Sequence, residues 1–181
     1  MSAKKNMKTI ALPVEELRRR YTYDPETGEF TLKLPRRGNP INSTVVGKSA
    51  TSRQKIGYDV ICIKHEGVYY RLYAHRVAWA MTYGEWPLLH IDHADGVRSN
   101  NKISNLRQAT NQENTRNRGR GANNTSGYKG VSFEKRCGKW SAGVKVSGVR
   151  KFLGYFQTPE EANEVRVAYD LAHFGKFANV A

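Results

Sequence analysis

Between Leu89 and Asn114 the chain alternates short apolar runs with turn-forming residues, and that pattern leaves few folds open. Leu89-His90-Ile91 delivers an adjacent Asp92-His93 pair. Asp95-Gly96 then turns the chain, and Asn100-Asn101 lengthens the loop before a second short run that carries Asn105 and Leu106. Thr110 and Glu113 have capping-box spacing, so a helix opens at Asn111 and carries Asn114. The stretch reads as strand, loop, strand and helix wrapped around one metal ion.

The residue types in that stretch suit one kind of chemistry. Hydrolysing a phosphodiester needs an activated water and a means of neutralising the leaving oxygen. His93, with an imidazole that titrates near neutrality, suits the general base. A magnesium ion held by oxygen ligands suits the second task, and Asp92 and the Asn114 side-chain carbonyl are oxygen ligands. Asn105, opposite His93 across a hairpin, can accept the other ring proton and hold one tautomer. Neighbours on a regular strand point to opposite faces, so Asp92 and His93 reach one phosphate only at a twist, a bulge or a strand end. The Asp95-Gly96 turn supplies such an end. His90 is open to three readings: a third ligand, a DNA contact or an exposed strand residue. Arg107 is either a phosphate contact or a solvated surface arginine. His75 starts a helix and reads as a cap or packing residue.

Charge narrows the partner. Thirty Lys and Arg face sixteen Asp and Glu, for a net charge of +14 and a pI near 9.9. Such an excess points to a polyanion, nucleic acid first, with a merely soluble basic protein as the bland alternative. No run of apolar residues is long enough to span a bilayer, so no membrane partner is expected. The basic start Met1–Asn6 is followed by no apolar core of a signal peptide. Cys62 and Cys137 stand far apart without CxxC partners, which argues against a zinc knuckle or a disulfide framework. The cytoplasm is the default compartment.

Taken in order, residues 1–12 are a basic arm, and Pro13–Arg20 reads as a short helix. Tyr23-Asp24-Pro25-Glu26-Thr27-Gly28 is turn chemistry that opens a strand at Phe30. Residues 35–57 read as loop with one short strand near Val45-Val46. Tyr58–Ile63 and Val68–Tyr73 form a hairpin. Ala74–Tyr83 is helical, with Val77, Ala80 and Met81 on one face and Gly84 as its stop. Residues 117–127 have no periodicity and read as a flexible linker. Three strands follow, opening at Tyr128, Trp140 and Val149. Thr158-Pro159-Glu160-Glu161 then caps a helix whose face is Ala162, Val165, Tyr169 and Ala172.

The Asp92–Asn114 pattern resembles the HNH endonucleases, the ββα-metal or His-Me finger nucleases, and most closely their phage and intron-encoded homing branch. The matching pieces are Asp92-His93, Asp95-Gly96 with Asn100-Asn101, Asn105-Leu106 and Asn114. Asn105 lies twelve residues after His93 and Asn114 twenty-one after. The resemblance implies His93 as general base, Asn105 as its orienter, and Asp92 and Asn114 as metal ligands. It implies Mg2+, with Mn2+ as a substitute. The family's last letter is often His, and here it is Asn114, which is usual in the homing branch. Tyr23–Gly28 and Ala74-His75-Arg76 look like the front half of such phage enzymes.

The C-terminal part resembles the plant ethylene-response-factor domain of the Apetala-two type. The matching pieces are Tyr128-Lys129-Gly130-Val131, Gly138-Lys139-Trp140, Phe152-Leu153-Gly154-Tyr155-Phe156, Glu160-Glu161-Ala162 and Ala168-Tyr169-Asp170. Residues 128–158 carry seven Lys and Arg against Glu134 alone, so the sheet side is the cationic one. Alternation puts Trp140, Ala142, Val144 and Leu153 toward the helix and leaves Gly143, Lys145, Arg150 and Phe152 outward. By resemblance Lys129, Lys145, Arg150 and Phe152 contact DNA. Ser132, Glu134 and Gly143 stand where plant members often have other residues, so base specificity does not carry over.

The expected fold class is α+β, a ββα-metal nuclease region plus a three-stranded antiparallel sheet on one helix. The expected divisions are a basic arm and short helix over 1–20, a nuclease domain over 21–118, a linker over 119–127 and a DNA-binding domain over 128–181. The expected function is site-specific, metal-dependent cleavage of double-stranded DNA by a monomer in a phage-infected host cell. A non-catalytic DNA-binding regulator on the same scaffold is the alternative, and an RNA-binding protein is a third class.

Overall fold

The computed structural model describes residues 12–34, 47–117, 121 and 123–178. It is an α+β structure of short helices and several small antiparallel sheets. The described residues fall into two compact units that divide between Gln108 and Ala109. The basic arm up to residue 11 and the strand expected near Val45-Val46 lie outside the described residues. Leu12 belongs to the core instead of the arm. It is buried, and its carbonyl accepts a hydrogen bond from Trp86 Nε1 at 2.8 Å.

In the first unit α1 (Val14–Arg20) runs into a small hairpin of β1 (Tyr21–Tyr23) and β2 (Phe30–Leu32). A three-stranded sheet follows, β3 (Ser52–Arg53), β4 (Asp59–His65) and β5 (Val68–Tyr73), in the order β3-β4-β5. Helix α2 (Ala74–Tyr83) ends at Gly84, whose φ of 83° is the left-handed cap that glycine adopts without strain. Arg18 of α1 donates to the Met81 carbonyl at 2.7 Å and so satisfies part of that helix end. The apolar faces of these elements meet in one core that includes Leu17, Phe30, Ile61, Leu72, Val77, Ala80, Ile91 and Leu106. Burying each of the larger side chains contributes about 1.5–3 kcal/mol before the cost of ordering it.

Strand β6 (His90–His93) pairs with β7 (Leu106–Ala109). Arg76, on the first turn of α2, donates to the Pro87 carbonyl at 3.0 Å and the Leu89 carbonyl at 3.2 Å. The segment entering β6 is therefore fastened to the same helix turn that carries His75.

In the second unit α3 (Asn111–Arg116) opens with the full capping box. Thr110 accepts from the Glu113 amide, and Glu113 accepts from the Thr110 amide. Residues 124–127, expected to be part of a flexible linker, form an ordered turn. Asn124 Nδ2 donates to the Tyr128 carbonyl at 2.7 Å, and Ser126 Oγ donates to the Val131 carbonyl at 2.8 Å. The short polar side chains read as linker material bond the backbone locally instead.

The strands β8 (Val131–Glu134), β9 (Lys139–Val146) and β10 (Val149–Phe156) form an antiparallel sheet in the order β10-β9-β8. Helix α4 (Pro159–Phe174) packs on it through Ala162, against Val131 and Ala142. Gly130 adopts a φ of +74°, and a Cβ there would come within 2.4 Å of the Gly143 carbonyl oxygen. Only glycine permits that crossing.

The buried face of α4 differs from the expected one. Ala162, Arg166 and Asp170 are buried, while Val165 and Ala172 are exposed and Tyr169 is half-buried. Arg166 Nη1 donates to Asp170 Oδ2 at 2.8 Å one turn further along. Pairing lets two charged side chains go where apolar ones were expected.

Candidate active site and nucleic-acid face

His93 is the last residue of β6, and Gly96, with φ 73°, turns the chain three residues later. Asp92 and His93 are both buried. Arg107 of β7 holds the Asp92 carboxylate, with Nε at 2.9 Å and Nη2 at 2.8 Å from Oδ2. Arg107 is therefore partnered within the protein instead of standing as a solvated surface arginine. His90, at the start of the strand, is exposed.

The His93 ring meets a different face. Its Nε2 lies 3.4 Å from Asn101 Oδ1. The His75 ring stands nearly perpendicular to it, with centroids 5.1 Å apart, and Tyr58 lies 6.0 Å away. Burial lowers the His93 pKa below its usual value, against opposing effects of the Asn101 hydrogen bond and of Asp95 and Asp92, while Arg98 lowers it further. The imidazole is thus neutral at physiological pH and able to accept a proton.

The hydrogen bonds of the Asn105 side chain go to the loop and not to that ring. Its Nδ2 donates to Asp95 Oδ1 at 3.0 Å and to the Asn100 carbonyl at 2.9 Å, and its Oδ1 accepts from the Asp95 amide at 3.0 Å. Its main-chain carbonyl accepts from the Ala94 amide at 2.9 Å. Asn105 therefore holds the backbone that follows His93. Asp95 accepts those bonds as a carboxylate. Burial raises its pKa, but hydrogen bonds from Asn100, Val97 and Asn105 outweigh that and leave it below the usual carboxylate range.

His75 packs within this cluster, as its alternative reading as a packing residue required. Its ring stacks on Tyr73 at 5.4 Å with 14° between planes, and Tyr58 closes another side at 5.4 Å. Its Nδ1 is buried without a hydrogen-bond partner among the described residues. Burial, helped by His93 and Arg76, pushes its pKa down to about 3 from 6.5. The unfolded chain therefore takes up a proton below pH 6.5 that the folded chain refuses, so stability falls as pH drops through that window. The urea midpoint of the wild type is expected to decline from pH 6.5 toward pH 4, and His75→Phe to decline less. Parallel declines would show that His75 is not the cause.

Asn114 sits half-buried on α3, in the second unit. The same unit holds the four residues expected to contact DNA. Lys145 pairs in register with Arg150, and Gly143 with Phe152, so these positions share the face away from α4. Lys129 is half-buried, and its pKa is lowered mainly by that burial, against the pull of Asp170. It lines a cleft of about 1080 Å³ together with Lys145, Arg150 and Asn111 of α3.

Sequence reasoning missed Tyr155. The register of β10 shifts between Phe152 and Gly154. That bulge brings Tyr155 onto the face of Phe152, with ring centroids 4.9 Å apart and both side chains about half exposed. Gly154, at φ +142°, was the one available hint, because a glycine inside a strand often marks a bulge. Asn101, Asp59 and Tyr58 were also missed, because nothing in their local pattern separates them from ordinary turn and strand residues.

Three comparisons bear on this site. Protein 3.8 of Escherichia phage T7 is 37% identical over 75 residues, which is 41% of this chain and 62% of that protein. The chain thus spans less than two thirds of the length of that curated relative. The solved structure described as DNA binding and cleavage by the HNH homing endonuclease I-HmuI aligns over 84% of each chain, with 22% identity and a TM-score of 0.40. Among the described residues no helix is long and apolar enough to cross a membrane. Over residues 72–116, which hold His75, Asp92, His93, Asn101, Asn105 and Asn114, the chain matches the family model for HNH endonucleases.

Proposed function

We propose that this chain is a metal-dependent, site-specific DNA endonuclease of the homing type, with His93 as its general base. The observation that carries the reading is the neutral, buried imidazole of His93, next in sequence to the buried Asp92, within the segment that matches HNH endonucleases. His93 takes the proton from the attacking water. Asn105 supports it by holding the Ala94-Asp95 backbone, and Tyr58 and His75 confine its ring.

The donor chemistry fits a hard divalent cation. Asp92 offers carboxylate oxygen and Asn114 an amide oxygen, the ligand types that Mg2+ and Mn2+ accept. Among the described residues no three His, Cys, Asp or Glu side chains converge to hold a metal. The chemistry such an ion supplies when bound is charge neutralisation at the leaving oxygen. Arg107 engages Asp92 Oδ2, and the other carboxylate oxygen is the proposed ligand.

Double-stranded DNA is the proposed substrate, bound by a monomer. Lys129, Lys145, Arg150 and Phe152, with Tyr155 added, form the proposed contact surface. Cations meet phosphates there and the aromatic pair packs on sugar or base edges. A phage relative fits a place of action in the infected host cell.

Arg107 gives the rival reading its one specific support, because it already engages an oxygen of Asp92. On that reading the chain binds DNA without cutting it. Incubation with supercoiled plasmid separates the two. Nicking or linearisation with Mg2+ or Mn2+, absent in excess EDTA and strongly reduced in Asp92→Ala and Asn114→Ala, is the expected result. Binding without cleavage under every metal condition would favour the regulator, and full cleavage in EDTA would rule out the metal.

A further inference from the structure

The residue that meets the His93 ring is itself held in one orientation. An amide oxygen only accepts, so His93 Nε2, 3.4 Å from Asn101 Oδ1, must be the protonated nitrogen if that end of the amide faces it. The other end decides this. Asn101 Nδ2 donates to the Ser99 carbonyl at 3.2 Å and to Asp59 Oδ2 at 3.4 Å. Both of those atoms are acceptors. Turning the amide over would set its oxygen against a carbonyl and a carboxylate, and its NH2 group against the ring. Asp59 is itself held by an ion pair with Arg53 at 2.5 Å. Asn101 is 2% exposed and Asp59 8%, so water does not replace these partners cheaply.

The backbone of Asn101 is fixed as well. Its carbonyl accepts from the Tyr23 hydroxyl at 2.7 Å. Gly28, at φ +78°, lies so close that a Cβ there would come within 2.6 Å of the Asn101 carbonyl carbon. Pro25 contributes too, accepting from the Ile103 amide at 3.1 Å.

We propose that Asn101 is a positioning residue that sets the tautomer of His93, holding the proton on Nε2 and leaving the Nδ1 lone pair as the base, and that Asp59 fixes Asn101 in that role. The assignment of Nδ1 as the working base rests on the nuclease reading, whereas the tautomer itself does not. Asp59, Asn101 and His93 form a chain in which a carboxylate orients an amide and the amide orients an imidazole. A second ring nitrogen held by an acceptor is how an imidazole base is generally kept in one working form.

The test has two arms. Nuclear magnetic resonance of the full chain, labelled with the heavy nitrogen isotope, distinguishes the two imidazole nitrogens directly. A proton on Nε2 of His93 in the wild type, and a mixture of tautomers in Asn101→Leu, is the expected result. A proton on Nδ1 in the wild type overturns the proposal without any mutant having to fold. The kinetic arm compares Asn101→Leu with Asn101→Asp. Leucine keeps the volume but cannot accept from Nε2–H, and aspartate accepts but stands against Asp59. If Asn101 only fills space, the leucine variant is the better enzyme. If it sets the tautomer, kcat falls on the order of 10-fold or more in Asn101→Leu, KM changes little, and Asn101→Asp retains more activity. A kcat within about twofold of wild type in Asn101→Leu overturns the proposal. A chain with Nε2 protonated that cuts no DNA refutes the nuclease reading and supports the tautomer assignment.

Discussion

His93→Ala is expected to lower the cleavage rate by ~10²–10⁴ and to leave duplex affinity nearly unchanged, because the loss is of a general base and not of a phosphate contact. Single-turnover cleavage and fluorescence anisotropy on the same duplex measure the two quantities separately. Cleavage within about threefold of wild type would remove His93 from the reaction. Asn105→Ala is expected to do less damage. The base remains, and what is lost is the amide that holds the Ala94-Asp95 backbone behind it. In the wild type the acid limb of the rate profile should lie below pH 6.5, because burial lowers the His93 pKa and protonation removes the base only beneath it.

Deleting everything after Gly121 should have the second large effect. Such a chain keeps every residue assigned to the chemistry. However, α3 groups with the second unit, and Asn111, Gln112 and Thr115 line one cleft with Phe174 and Phe177. A six-residue helix has little stability of its own, and its capping box is worth only about 1 kcal/mol. The expected outcome is a first unit that stays folded, a frayed α3 and a Mg2+-dependent cleavage rate reduced far more than the loss of DNA contacts alone explains. Lys145→Ala and Arg150→Ala in the full chain give the reference for those contacts. Each lost phosphate contact should reduce the slope of log affinity against log salt by about 0.9. A truncated chain that cuts as fast as wild type at saturating DNA would show that α3 needs no support from the rest of the second unit.

Local signals were legible and long-range ones were not. Helix α2 runs over the expected residues because its apolar spacing and Gly84 act within one short segment. The hairpin of β4 and β5 and the capping box at Thr110 were legible for the same reason. Asp92, His93 and Asn105 stand out because a turn gathers them within a few residues. Asn101 does not stand out, since the side chain that orients it, Asp59, lies forty-two residues upstream. Asn105 was given the ring contact because a hairpin places it opposite His93, yet its amide closes the loop instead. Tyr155 was not placed beside Phe152 because strict alternation cannot foresee a bulge. Arg166 and Asp170 were passed over as buried residues because each alone is costly inside, and only their pairing makes burial tolerable.

The turn at Asp24–Gly28 reads as an ordinary loop with favourable residues, but its position gives it a second consequence. Through Tyr23, Pro25 and Gly28 it braces the Asn101–Ile103 backbone from a place more than seventy residues earlier in the chain. The segment that matches the family model begins well after that brace. The motif is therefore not a portable cassette: transplanted alone into another protein, it would carry His93 but not the scaffold that keeps Asn101 against it. Any recipient would have to supply its own prop at that loop, and a graft that includes the hairpin of β1 and β2 has the prop built in.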